Sequence, residues 1–188
     1  MRIISGSFKG KKILTPKDRK TRPLKDLTKE SIFNILKHSN KFEINLLNST
    51  ILDLFCGVGS FGIECLSRGV KKVIFIENYK GVLPILKKNL NNLKFVKNYN
   101  IIEKNIYNDN VFQKLDYKFD IIFMDPPFKN DNLDNIFSEI NKHKILNKNG
   151  IIIIHRHKDE VDIHPLNLKL VEEKLYGISK IKFFSNLD

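Results

Sequence analysis

At 188 residues the chain fits one domain with at most a short appendage, and its 41% hydrophobic content suffices for a buried core, which argues against disorder. Two cysteines, apolar runs of only a handful of residues and a polar start (MRIISGSFKG) exclude a disulfide framework, a membrane span and a signal peptide, so a cytoplasmic location is expected; the chain is separately expected to be a monomer. The net charge is +12, yet 28 of the 33 basic residues are lysine, beside 21 asparagines, 26 isoleucines and no alanine, so AT-biased coding explains much of the total.

The distribution of charge is more telling than its sum. Residues 1–41 carry twelve Lys/Arg against three Asp/Glu, whereas residues 42–188 carry 21 against 18. The N-terminal fifth is therefore a candidate phosphate-contacting surface, with Lys9, Lys11, Lys12, Arg22, Lys25 and Lys29 as its contacts. Locally it reads as a hairpin, RIIS and KKILT about a turn near Phe8–Gly10, then a loop with Pro16 and Pro23. A helix follows from Thr28, its expected N-cap, to Ser39, with Ile32, Phe33, Ile35 and Leu36 on its apolar side.

From about residue 50 the pattern changes. TILDLF, KKVIFIE, YNIIEKN, FDIIFMD and GIIIIH are short, β-branched runs suited to central parallel strands, and helix-length amphipathic stretches separate them. Five strands with crossovers imply a doubly wound α/β sheet, and LKLVEEKLYG with ISKIKFFS predicts a closing hairpin. The expected organisation is a basic extension over residues 1–41 and an α/β domain over residues 42–188.

Three motifs carry chemistry. DLFCGVGSFG runs from a strand into a helix, and Gly57, Gly59 and Gly62 let the backbone turn sharply and approach a ligand. The acidic Asp53 ahead of them suits an amine-bearing ligand better than a pyrophosphate. Glu77 ends the next strand, where a carboxylate accepts ribose hydroxyls in such folds. Asp125-Pro126-Pro127-Phe128 follows FDIIFM; its prolines remove two N–H donors, which leaves an acceptor-rich turn for an exocyclic amino group, with Phe128 as a stacking platform. His155, Arg156, His157 and His164 lack ligand spacing for a metal and are expected at a strand end or the surface. Cys56 reads as a packing residue, and Phe183 and Phe184 as core.

A glycine-rich loop, an acidic strand end and DPPF, in that order, resemble an S-adenosylmethionine-dependent amino methyltransferase. TRPLKDLTKESIFNIL at Thr21–Leu36 and the closing KLYGISKIKFF are similar to the RsmD family of bacterial 16S ribosomal RNA guanine-N2 methyltransferases. The resemblance implies a Rossmann-like methyltransferase sheet of seven strands, mostly parallel, with one antiparallel strand near the C-terminus. It implies S-adenosyl-L-methionine held by Asp53, Phe55, Gly57, Gly59, Gly62, Glu77, Asn78, Asn105 and Ile106, no metal, and 16S rRNA in the small ribosomal subunit as partner. Two positions depart from the family: Leu27 stands where an arginine is usual, and Asn105 where an acid usually meets the adenine. A DNA adenine-N6 methyltransferase, a release-factor glutamine methyltransferase and a non-catalytic RNA-binding protein on the same fold are the rivals. The first usually has a separate recognition domain, the second favours Asn at position 125, and the third has no need of five intact site residues.

Overall fold

A computed structural model describes residues 1–16, 24–108, 110–127, 132–161 and 165–187 of the protein. One seven-stranded sheet organises them: β1 (Thr50–Leu54), β2 (Lys72–Ile76), β3 (Tyr99–Ile102), β4 (Phe119–Met124), β5 (Leu146–His157), β6 (Leu168–Tyr176) and β7 (Ser179–Asn186), in the order β3-β2-β1-β4-β5-β7-β6. The first five are parallel, and β7 runs antiparallel to both β5 and β6. Each expected strand is present, and the closing hairpin forms as β6 and β7.

The strands read as unbroken apolar runs because both faces of the sheet are covered. Ile51, Val73, Phe75, Ile121, Phe123 and Ile153 face one core, built with α1 (Asp26–His38), α2 (Ser60–Ser67) and α3 (Leu83–Asn91). Their neighbours Leu52, Ile74, Ile122 and Ile152 face the other, with α4 (Leu133–Lys142) and the 106–112 segment. Phe61 bridges the first core, stacked on Phe123 at 4.0 Å and on Phe33 of α1 at 5.3 Å.

The N-terminal extension shares that first core instead of standing apart. Ile3, Ile13, Leu24, Ile32, Phe33 and Leu36 are all buried in it. The expected hairpin forms, with the Arg2–Lys12 antiparallel bridge and cross-strand bonds from the Ile3 amide to the Lys11 carbonyl, the Gly10 amide to the Ile3 carbonyl and the Ile13 amide to the Met1 carbonyl, while others of its amides turn to α2. The Ile4 and Ser5 amides donate to the buried Glu64 carboxylate (2.8 and 2.9 Å), and the Ser7 amide donates to the Ser67 carbonyl. The helix begins two residues earlier than predicted. Lys25 is its N-cap, without a side-chain cap bond, and Thr28 is buried inside the first turn.

Candidate active site

In this strand order the connections leave β1 and β4 on opposite sides, so a crevice opens beyond their C-terminal ends. A cavity of about 490 Å³ occupies it, a size suited to a nucleoside-bearing ligand. Asp53 and Phe55 from β1 and its loop, Glu77 and Asn78 after β2, and Asp125, Pro126 and Pro127 after β4 all line it. Three motifs far apart in sequence thus meet in one wall. Phe128 lies outside the described residues, as does Arg22.

Two glycines of the loop are explained by conformation. Gly57 and Gly59 have φ of +55° and +82°, which side chains rarely adopt. A Cβ on Gly57 would meet nothing within 4 Å, so its backbone is open to a ligand. Gly62 works differently from the expectation. It lies within α2, where a Cβ would stand 2.2 Å from the Phe75 ring, so its bareness lets the helix sit on the sheet.

The carboxylates are differently committed. Asp53 is fully buried and accepts the Gly62 amide at 2.9 Å. Burial pushes its carboxyl well above the usual range, and the charges of Asp125 and Glu77 push it further. Glu77 braces the loop: Oε2 accepts from the Gly57 amide (2.8 Å), and Oε1 from the amides of Asn78 (2.9 Å) and Tyr79 (2.8 Å). Of the four acceptor positions of a carboxylate, one on Oε2 stays open for a ligand hydroxyl. Burial beside Asp53 and Glu77 pushes the Cys56 thiol well up, so it lines the cavity as an unreactive group.

Asn105 and Ile106 are not brought to the cavity wall. Ile106 is buried in the core shared with α4, and the Asn105 Oδ1 accepts the Tyr107 amide at 3.0 Å, shaping its own turn. Tyr107 meets Phe55 instead, ring centroids 6.0 Å apart. Of the basic residues, Lys9, Lys11, Lys12 and Lys25 are exposed. Lys29 is a correction: it is fully buried, its Nζ bonded to the Arg2 carbonyl (2.8 Å) and 3.7 Å from Glu64, so it cannot meet a phosphate. Sequence reading missed His155, Arg156 and His157, which do end β5 but also line the cavity. Among the described residues, no group of His, Cys, Asp and Glu is arranged to hold a metal ion, and no helix is long and apolar enough to cross a membrane.

Residues 1–185 match the family model described as Conserved hypothetical protein 95. The chain is 34% identical over 187 residues to ribosomal RNA small subunit methyltransferase D of Haemophilus influenzae, covering 99% of this chain and 94% of that one. A crystal structure from the same organism superposes with a TM-score of 0.77 at 34% identity, over 100% of this chain and 98% of its own. A protein solved with SAH bound shares the fold, with a TM-score of 0.64 at 14% identity, over 84% of this chain and 49% of its own.

Proposed function

The chain belongs to the RsmD family, whose model spans nearly all of it, and on that premise we propose that it transfers a methyl group from S-adenosylmethionine to the exocyclic N2 of a guanine in 16S ribosomal RNA within the small subunit. The observation that carries this reading is the convergence of Asp53, Glu77 and Asp125, with the donor-free Pro126-Pro127 turn, on one cavity at the switch point of the sheet. Relatives named ribosomal RNA small subunit methyltransferase D support the rRNA substrate.

The residues present fit the cofactor. Buried Asp53 is a counter-ion for its cationic end, Gly57 gives it open backbone, Glu77 keeps an acceptor for a ribose hydroxyl, and Phe55 gives an apolar wall. When bound, S-adenosylmethionine supplies a methyl group already activated by its sulfonium charge. The protein's task is placement. Guanine N2 is a poor nucleophile because its lone pair is delocalised into the ring. Asp125 and the Pro126 carbonyl, accepting its two hydrogens, rotate the amine so that the lone pair faces the methyl. Asp125 then stabilises the positive charge that develops on nitrogen. The test is labelled methyl transfer to unmethylated small subunits, naked 16S RNA and DNA, followed by nucleoside analysis. N2-methylguanosine on the subunit is expected; N6-methyladenine in DNA would overturn the substrate while keeping the site.

Asp53 gives a linked prediction. An acid with a raised native pKa keeps a proton in the folded state that the unfolded chain has lost. Folding stability therefore falls as pH climbs from the unfolded value toward the native one, and the penalty is complete above it. Asp53→Asn removes that penalty and is expected to melt about 2–4 °C higher at pH 8, on the order of 1 kcal/mol. It should also weaken cofactor binding at least tenfold, in the range of one lost charge-assisted contact. Wild-type affinity should rise with pH as Asp53 ionises, and the variant's should not. Calorimetry showing equal affinity for both would remove Asp53 from the site.

Residues 1–41 act on this reading as the RNA-binding extension of the domain formed by residues 42–188. The extension's turn packs against Ser67 at the C-terminal end of α2, whereas Lys25 follows Leu24, a cavity-lining residue. The helix between them has eight residues, roughly 12 Å. An RNA touching both Lys25 and Lys9 must therefore run along this flank, away from the target base. A Lys9/Lys11/Lys12 triple alanine variant is expected to lower the salt slope of RNA binding by about two to three units. An unchanged slope would clear the hairpin of phosphate contacts.

A further inference from the structure

Side chains from three neighbouring elements form a hydrogen-bonded chain that ends in the cavity. His155 Nδ1 lies 2.8 Å from Asp125 Oδ1, and its Nε2 lies 2.9 Å from Ser179 Oγ. The sheet dictates this meeting. Parallel pairing sets Met124 of β4 opposite Ile154 of β5, so the next residues, Asp125 and His155, emerge side by side. Antiparallel pairing sets Ser179 of β7 opposite His157, two residues along the same face. Ser179 is buried, and the imidazole and carboxylate are only 17% and 25% exposed.

The chemistry of the partners fixes the roles. An ionised carboxylate has no hydrogen to give, so the proton between Asp125 and His155 belongs to Nδ1. A neutral imidazole then has a bare Nε2, which accepts from the Ser179 hydroxyl. One acceptor position on Asp125 Oδ1 is thereby taken by the histidine, and Oδ2 is left for a ligand. We propose that His155 is the positioning residue of the transfer site: its Nδ1–H fixes Asp125 so that Oδ2 receives the guanine amine, and Ser179 holds the imidazole in the tautomer that allows it. This inference rests on the methyltransferase reading of Asp125.

It has a consequence in pH. A second proton on the imidazole reverses the Ser179 bond and sets a full positive charge against Asp125, which weakens that carboxylate both as an acceptor and as a stabiliser of the cationic nitrogen. The form of the enzyme carrying that second proton is expected to transfer methyl more slowly. Among the described residues, the other charged or titratable groups at its cavity are Asp53 from β1, Glu77 after β2, Arg156 and His157 on β5 and Glu160 in the turn that follows, and Lys180 of β7 bonds the Glu160 carbonyl through Nζ. None of them replaces the Nδ1–H.

The experiment has two arms. Long-range proton–nitrogen NMR on the full chain labelled at its five histidines, assigned with His155→Asn, is expected to show His155 in the Nδ1–H form when neutral. The Nε2–H form as the main tautomer would overturn the proposal, whatever the protein methylates. In methyl transfer, His155→Asn keeps a donor to Asp125 but cannot titrate. Its kcat should stay within about fivefold of wild type, with the acid limb flattened. His155→Leu should lose at least about tenfold in kcat with cofactor affinity within threefold. A His155→Leu enzyme with wild-type kcat and an intact acid limb would overturn the proposal; should that variant fail to fold, the profile of His155→Asn decides. A wild-type enzyme that transfers no methyl defeats the proposed function, and the tautomer measurement still judges His155.

Discussion

Asp125→Ala is expected to lower kcat for methyl transfer by about 10³-fold while leaving S-adenosylmethionine affinity within about threefold. The split follows from where the carboxylate stands. It lies after β4, on the far side of the switch point from the Gly57 loop and Glu77, the groups read as holding the cofactor. On the proposed reading its loss removes the acceptor that rotates the guanine amine, beside a Pro126-Pro127 turn whose residues offer carbonyls but no N–H. Asp125→Asn should fall less, by about tenfold. The amide oxygen still accepts one amine hydrogen, and His155 can meet the amide nitrogen after switching tautomer. Cofactor calorimetry beside single-turnover transfer separates the two quantities. Loss of cofactor binding in Asp125→Ala, with transfer per bound cofactor unchanged, would move Asp125 from the target base to the cofactor.

What could be read in advance follows the same division between local and long-range information. The five parallel strands were legible because burial on both faces writes itself as unbroken Ile, Val and Phe runs, and the three site motifs because each sits at a strand end. His155 was not legible. Its partner is thirty residues away, and only the β4–β5 register brings the two together. The hairpin was legible from its turn, but its anchor was not: the Ile4, Ser5 and Phe8 amides leave it for the Glu64 and Ser67 side chains of α2. Asn105 and Ile106 fall after β3 with no register to place them, and their turn closes on Tyr107. Lys29 was misread, although the signal was present. It stands three, four and seven residues before Ile32, Phe33 and Leu36, squarely on the apolar stripe of α1, where a lysine must find a buried partner.

That partner yields the largest expected effect on stability, and an unequal one. Glu64 is fully buried on α2 and serves four donors: the Ile4 amide at Oε2, the Ser5 amide and Arg68 Nε at Oε1, and the Lys29 ammonium 3.7 Å away. Glu64→Ala strands two backbone amides and leaves Lys29 with the Arg2 carbonyl and Asp26 at 3.8 Å. Burial already pulls the Lys29 pKa down despite Glu64, so desolvation outweighs attraction even in the intact pair. Removing the anion should cost about 3–5 kcal/mol and lower the melting temperature by on the order of 10 °C. Lys29→Met is the milder change. It deletes the charge that burial disfavours, keeps an apolar stem in the core and leaves Glu64 with three donors, so about 1 kcal/mol is expected. Hydrogen exchange should show the Ile4 and Ser5 amides losing protection in Glu64→Ala but not in Lys29→Met. Equal melting temperatures for the two variants would mean that the ion pair, and not the anchoring of the N-terminal backbone, is what Glu64 contributes. The distinction reaches the site, because Ile3 beside the anchored amides shares one core with Leu24, which lines the cavity where Asp125 and His155 meet.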